Sequence, residues 1–151
     1  MPVNVNYLSN SGGTVEIDSP LNKNEVEQNM EIAIFLADNG HKVKLLKIDD
    51  LPGTKNPDAD IDGKTFEFKT NKRATISSID NELRKAKNQA GYIVLQIKSG
   101  ISSVKLSNAI SDRLTCSKNV KELWLIYKNK LVKLSRAEFL NSIKVEEEIE
   151  K

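Results

Sequence analysis

One cysteine and one histidine occur among the 151 residues. Cys116 alone cannot close an internal disulfide, and it excludes any zinc site built on a cysteine cluster. His41 alone excludes a multi-histidine metal centre. Any metal bound here therefore rests on oxygen ligands, which suits a hard cation such as Mg²⁺. No apolar run approaches the ~20 residues of a membrane-spanning helix, so no membrane span is expected. The first ten residues, MPVNVNYLSN, hold neither a basic n-region nor an apolar h-region, so no secretory signal is expected in them. Four Pro and seven Gly are too few for collagen-like or Pro-rich character. There is no Walker loop, no Gly-rich dinucleotide fingerprint, no Ser-His-Asp set and no zinc-finger spacing.

What is present is the composition of a globular domain, 38% hydrophobic and 29% charged. A chain of this length can bury roughly two-thirds of the surface it exposes when unfolded. The net charge of +2 hides a division along the chain. Residues 1–68 hold six Lys against twelve Asp or Glu, a net of −6. Residues 69–143 hold fifteen Lys or Arg against five acids, a net of +10, and residues 144–151 carry −2. A basic stretch of this size points to an anionic partner, most often nucleic acid.

Residues 1–20 are polar, with one short strand candidate at Val15–Ile17, and are expected as a mobile lead-in. Apolar residues at Val26, Met30, Ala33, Ile34 and Ala37 follow a helical period that ends at Asn39-Gly40. A strand over 41–48 and a Pro/Gly loop over 49–57 come next. DADI and KTFEFKT around Asp62-Gly63 read as a β-hairpin. A helix over 76–90, an apolar strand over 92–97 and a helix over 104–114 follow. A strand over 120–127, a turn at Lys128-Asn129-Lys130, a return strand and a short helix through Ile143 complete the body. The charged tail 144–151 is expected to fray. The reading is one α/β domain over 21–143, with a mixed central sheet flanked by helices.

The hairpin carries the densest chemistry. Strand alternation sets Phe66 and Phe68 on one face, and Thr65, Glu67 and Lys69 on the other. Asp58 and Asp60 share a face of the preceding strand, so carboxylates and one ammonium converge. Crowded carboxylates repel one another until a cation or proton relieves them. A hard divalent ion on Asp and Glu oxygens supplies that relief, polarises a phosphate and lowers the pKa of bound water. An adjacent Lys stabilises developing charge or orients the water. Turn-forming acids and an exposed Glu-x-Lys are also common without any catalytic role.

The run Pro57-Asp58 … Glu67-x-Lys69 resembles the signature of PD-(D/E)XK nucleases, and the order helix, three strands, helix, strand is similar to their core. The likeness is closer to tRNA nuclease toxin domains of contact-dependent growth inhibition. The residues that carry it are Glu31-Ile-Ala33, Leu36-Ala37, Gly40 and Val43, then Pro57-Asp58, Asp60-Ile61 and Gly63. Phe66-Glu67-Phe68-Lys69, Lys87-Asn88-Gln89-Ala90 and Ile93-Val94-Leu95 continue it. It spans roughly residues 25–97. The resemblance implies a restriction-endonuclease-like α-β-β-β-α-β core and a metal-dependent phosphodiester hydrolase. It implies Asp58 and Glu67 as metal ligands, Lys69 as catalytic lysine, and a first-helix glutamate as a further metal or water contact. Glu31 fits the spacing best, then Glu27, with Glu25 less suited, and Asp60 stands to replace or assist Asp58. The ion implied is Mg²⁺ or Mn²⁺, with Zn²⁺ as an alternative.

Lys72, Arg73, Arg84, Lys85, Lys87 and Gln89 are candidates to hold a nucleic-acid backbone, weighed against a solvated helix face. Thr70 either donates to a phosphate or caps the strand. His41 is expected at a helix C-terminus, Trp124 and Tyr127 in the core, and Cys116 has no companion for nucleophilic chemistry. The functional expectation is a nuclease toxin acting on tRNA in the cytoplasm of a target bacterium. It would be delivered as the C-terminus of a larger exported protein and neutralised by a cognate immunity protein. A DNA endonuclease with the same metal site, or a non-catalytic binding module of the same fold, are the alternatives.

Overall fold

A computed structural model of the chain describes residues 4–17, 23–46, 57–86 and 91–151. They form an α/β protein of two compact units, residues 1–68 and 69–151. The boundary falls between Phe68 and Lys69, where the sign of the charge changes along the sequence.

In the first unit, β1 (Asn4–Leu8) and β2 (Thr14–Ile17) pair antiparallel, with an irregularity between Val5 and Tyr7. Residues expected as a lead-in thus form a hairpin. α1 (Lys23–Asp38) follows, and then β3 (Lys42–Leu45) pairs parallel with β2. α1 ends in a Schellman motif: the His41 amide donates to the Leu36 carbonyl at 3.1 Å and the Gly40 amide to Ala37 at 2.9 Å. Gly40 sits at φ 91°, a left-handed conformation that glycine adopts at no steric cost. β4 (Ala59–Ile61) pairs antiparallel with β3 and with β5 (Lys64–Asn71). The β4–β5 turn places Asp62 at φ 52° and Gly63 at φ 91°, the geometry that an Asp-Gly pair favours. Val15, Val43, Leu45, Ala59, Ile61 and Phe66 from the strands are buried, as are Ile32, Ala33, Leu36 and Ala37 of α1.

The hairpin loop is fastened to the end of α1. Tyr7 and Ser9 hydroxyls donate to Asp38 Oδ1 at 2.6 and 2.8 Å, and the Ser11 hydroxyl donates to the Ala37 carbonyl at 2.7 Å. The Tyr7 bond, then the Ser9 bond, holds the Asp38 carboxyl below its ordinary value, and the same Asp38 bond raises the Tyr7 phenol.

The second unit begins inside β5 and continues through α2 (Ile76–Ala86), β6 (Tyr92–Ile97) and α3 (Ser103–Thr115). Then come β7 (Glu122–Tyr127), β8 (Lys130–Ser135), α4 (Arg136–Phe139) and α5 (Ser142–Glu150). β6 and β7 run parallel and β7 and β8 antiparallel, so this unit also mixes both pairings. All but the first residue of β6 and of β7 are buried, which is why they read as continuous apolar runs. Lys128 and Asn129 make the β7–β8 turn at φ 51° and 61°. The tail expected to fray is helical, because Val145 and Ile149 face one way, one turn apart, and join the core.

Candidate functional site

Asp58 lies in the bend just before β4. Its backbone amide donates to the Phe66 carbonyl at 3.0 Å, and its Oδ2 accepts from the Phe68 amide at 2.7 Å. Asp58 is therefore tied to β5 immediately before and immediately after Glu67. From α1, Asn29 Nδ2 donates to Asp58 Oδ1 at 3.2 Å. Among the described residues each Asp58 oxygen so takes one protein donor, and a carboxylate oxygen has capacity for a second partner. Glu67 is 6% exposed, and its Oε1 is enclosed without a hydrogen bond among the described residues. The hairpin thus sets Asp58 beside the stretch of β5 that holds Glu67.

Lys69 is half-buried, two residues further along β5, and strand alternation sets it on the side of Glu67. In the second unit, Thr70 donates its hydroxyl to Gln96 Oε1 at 3.2 Å. Gln96 lies buried on β6.

Asp60 lies on β4, opposite Thr65. Its Oδ1 accepts from the Gly63 amide at 3.0 Å and closes the turn. In register Asp60 stands opposite Lys44, which stands opposite Glu16, so it belongs to a row of alternating charge along a groove that Lys42 and Asp62 also line. Glu27 and Glu31 are exposed on α1. Each is two positions from Asn29, the α1 residue that reaches Asp58, and two helical residues differ by about 200°. The position one turn before Asn29 on its own side is Glu25. Its side chain is outside the described residues. Among the described residues no three of His, Cys, Asp and Glu gather into a metal-holding group.

Lys72, Arg73, Arg84 and Lys85 are exposed, and Arg84 Nη2 donates to Asn81 Oδ1 at 2.8 Å. Lys87 and Gln89 lie outside the described residues. His41 follows the α1 stop, with its Nδ1 2.7 Å from Asp62 Oδ2. Trp124 and Tyr127 are buried, and Cys116 is exposed.

Sequence reasoning missed Asn29. Its only signal was its place on the helical side of Glu25, where an uncharged amide attracts no attention beside three glutamates. An amide suits the place: it donates to Asp58 without adding a further negative charge to two crowded carboxylates.

A pair of carboxylates suits an ion that keeps several waters and takes the rest of its shell from substrate oxygens, the habit of Mg²⁺. A closed structural zinc site needs four protein ligands.

A family model described as "Contact-dependent growth inhibition CdiA C-terminal domain" matches residues 55–131, which include Asp58, Glu67 and Lys69. A solved "CdiA-CT/CdiI toxin and immunity complex from Burkholderia pseudomallei" is similar in fold, with a TM-score of 0.56 at 19% identity. The match covers 82% of this chain and 99% of that one. No curated protein matches by sequence.

Proposed function

The chain belongs to the contact-dependent growth inhibition CdiA C-terminal domain family, a family of toxin domains, and from that premise we propose that it is a metal-dependent endonuclease whose substrate is tRNA. The observation that carries the proposal is the bracketing of Glu67 by the two bonds of Asp58, two residues before Lys69 on the same strand. The observed order α1, β3, β4, β5, α2, β6 supports a PD-(D/E)XK reading of that pair. In this reading Asp58 and Glu67 hold Mg²⁺ or Mn²⁺.

A bound divalent cation supplies Lewis-acid polarisation of the scissile phosphate and a more acidic water. The remaining work falls to the chain. Asn29 and the Phe68 amide fix the Asp58 carboxylate in one orientation, which keeps the pair preorganised. Burial of Glu67 lowers the local dielectric and strengthens its attraction for a cation. Lys69 places an ammonium beside the attacked phosphate, where negative charge grows in the transition state. The basic second unit holds the polyanion by salt-sensitive phosphate contacts. A cognate immunity protein is the natural protein partner, since the similar solved structure is titled a toxin and immunity complex. The chain acts in the cytoplasm of a target cell, at the end of a larger exported protein. Among the described residues no helix is long and apolar enough to cross a membrane.

The test is incubation of purified protein with bulk tRNA and, separately, plasmid DNA, each with Mg²⁺, Mn²⁺ or EDTA, beside Lys69→Ala. Metal-dependent tRNA cleavage lost in the variant is the expected result. DNA cleavage with intact tRNA would replace the substrate. Cleavage of neither, with no thermal shift in Mn²⁺, would sink the proposal.

A further inference from the structure

Asn71, the last residue of β5, is fully buried. Burying an amide side chain is costly unless its donors and acceptor are met. Here they are. Nδ2 donates to the Arg73 carbonyl and to the Ser78 hydroxyl, each at 2.9 Å, and Oδ1 accepts from the Ser99 hydroxyl at 2.5 Å. The Asn71 backbone carbonyl accepts from the Lys98 amide at 2.8 Å. One side chain and its own peptide group thus clip three segments of the second unit: the end of β5, the start of α2 and the chain leaving β6.

The residues whose backbones this clip fixes are Lys72, Arg73 and Lys98, and all three are exposed. The Asn71–Lys98 bond makes the two segments neighbours at about the 5 Å spacing of paired strands. The unit that carries them holds seventeen Lys or Arg against nine acids. Because the buried network already orders these backbones, docking costs less conformational entropy than ordering a loose basic loop.

We infer that this corner, with Lys72, Arg73 and Lys98 presented by Asn71, is a preorganised contact surface for the phosphodiester backbone of RNA. It contacts phosphates and reads no bases, so it positions the strand and leaves specificity to other residues. The identity of the polyanion rests on the nuclease reading, but binding at this corner needs no metal. Asn71 is a positioning residue here, and Lys98 is a contact residue with no precedent in the basic residues singled out by sequence.

The test is fluorescence anisotropy of labelled bulk tRNA with the full chain in EDTA, over a series of salt concentrations. Lys72→Ala, Arg73→Ala and Lys98→Ala combined are expected to weaken binding at low salt by about tenfold or more and to reduce the log–log salt slope by roughly two. Asn71→Ala keeps all three charges and is expected to weaken binding as well. If that variant does not fold, the surface triple variant still decides. Unchanged affinity and slope in the triple variant would overturn the inference and leave the corner to an acidic protein. Because binding is read without metal, a chain that binds at this corner yet fails to cleave would sink the nuclease reading while leaving the surface intact.

Discussion

Asn29 of α1 donates to the carboxylate of Asp58, twenty-nine residues further along, at 3.2 Å. The bond joins the first helix of the unit to the carboxylate that flanks Glu67, and so couples helix placement to the geometry of the acidic pair. The clamp of Tyr7, Ser9 and Ser11 on Asp38 and Ala37 holds the other end of the same helix.

Asn29→Ala removes a protein donor to Asp58. A residue that orients a metal ligand commonly contributes tenfold to a hundredfold in affinity. The expected result is Mn²⁺ affinity weakened by about tenfold in a calorimetric titration, with the metal-free melting temperature little changed. Asn29→Asp is expected to be worse, because it adds a third carboxylate. Wild-type Mn²⁺ affinity in Asn29→Ala would show that Asp58 needs no support from α1.

Gly13 tests the clamp. A Cβ at this position would lie 1.9 Å from the Ala37 carbonyl oxygen, and that oxygen is backbone that cannot swing aside. Gly13→Ala must separate the hairpin from α1, at about 1–3 kcal/mol by comparison with other overpacked sites. Urea denaturation reads the loss directly. Gly12→Ala is the contrast: its φ of 91° is strained for alanine, but no atom lies within 4 Å of the added methyl.

What the sequence made legible was local. Asp62-Gly63 occupies a positive-φ turn that both residue types favour, and Asn129 suits the second such turn although Lys128 does not, so both hairpins were readable. The buried runs of β6 and β7 and the 3.6-residue period of α1, α2 and α3 were readable for the same reason. That Asp58 bonds to the β5 residues on either side of Glu67 follows from the β4–β5 hairpin. The N-terminal hairpin was read only in part: Val15–Ile17 stood as a strand candidate, whereas the hydroxyl bonds that tie the hairpin to Asp38, about thirty residues away, have no local signal. Asn29 and Asn71 were silent for the same reason. An amide declares nothing until the fold supplies its partners.

Arg113 of α3 holds Asp80 of α2 through two bonds, Nε to Oδ1 at 2.7 Å and Nη2 to Oδ2 at 2.9 Å. The Arg113 bond, partly opposed by desolvation, sets the Asp80 carboxyl below its ordinary value of 3.8. The folded state therefore binds the Asp80 proton less readily than the unfolded state. The contribution is complete above that value and disappears as pH falls below it through the lower folded pKa. Urea denaturation of wild type and Asp80→Asn should show a gap that is constant from pH 7 to 5 and closes below about pH 4. One-third exposure of the Asp80 side chain also predicts a smaller gap in 1 M salt. A gap that widens on acidification would contradict the assignment.

The C-terminal helix gives the last prediction, because two readings of the same residues differ sharply there. As a frayed charged tail, VEEEIE would owe nothing to Val145 or Ile149. In the structure both are buried in the core of the second unit, at 0% and 4% exposure. Asn141 caps the helix at its start, accepting from the amides of Ile143 and Lys144. At its end Lys130 Nζ donates to the carbonyls of Ile149 and Lys151 at 2.5 and 2.6 Å, where a cation also meets the negative end of the helix dipole. Ile149→Ala is then expected to cost about 2 kcal/mol, within the range of buried Ile truncations. Glu147→Ala, on the exposed side of the same helix, should leave the urea midpoint unmoved. If both variants unfold with wild type, the helix is not docked. A midpoint shift confined to Ile149→Ala shows that i, i+4 apolar spacing, and not the net charge of the tail, decides whether this segment folds.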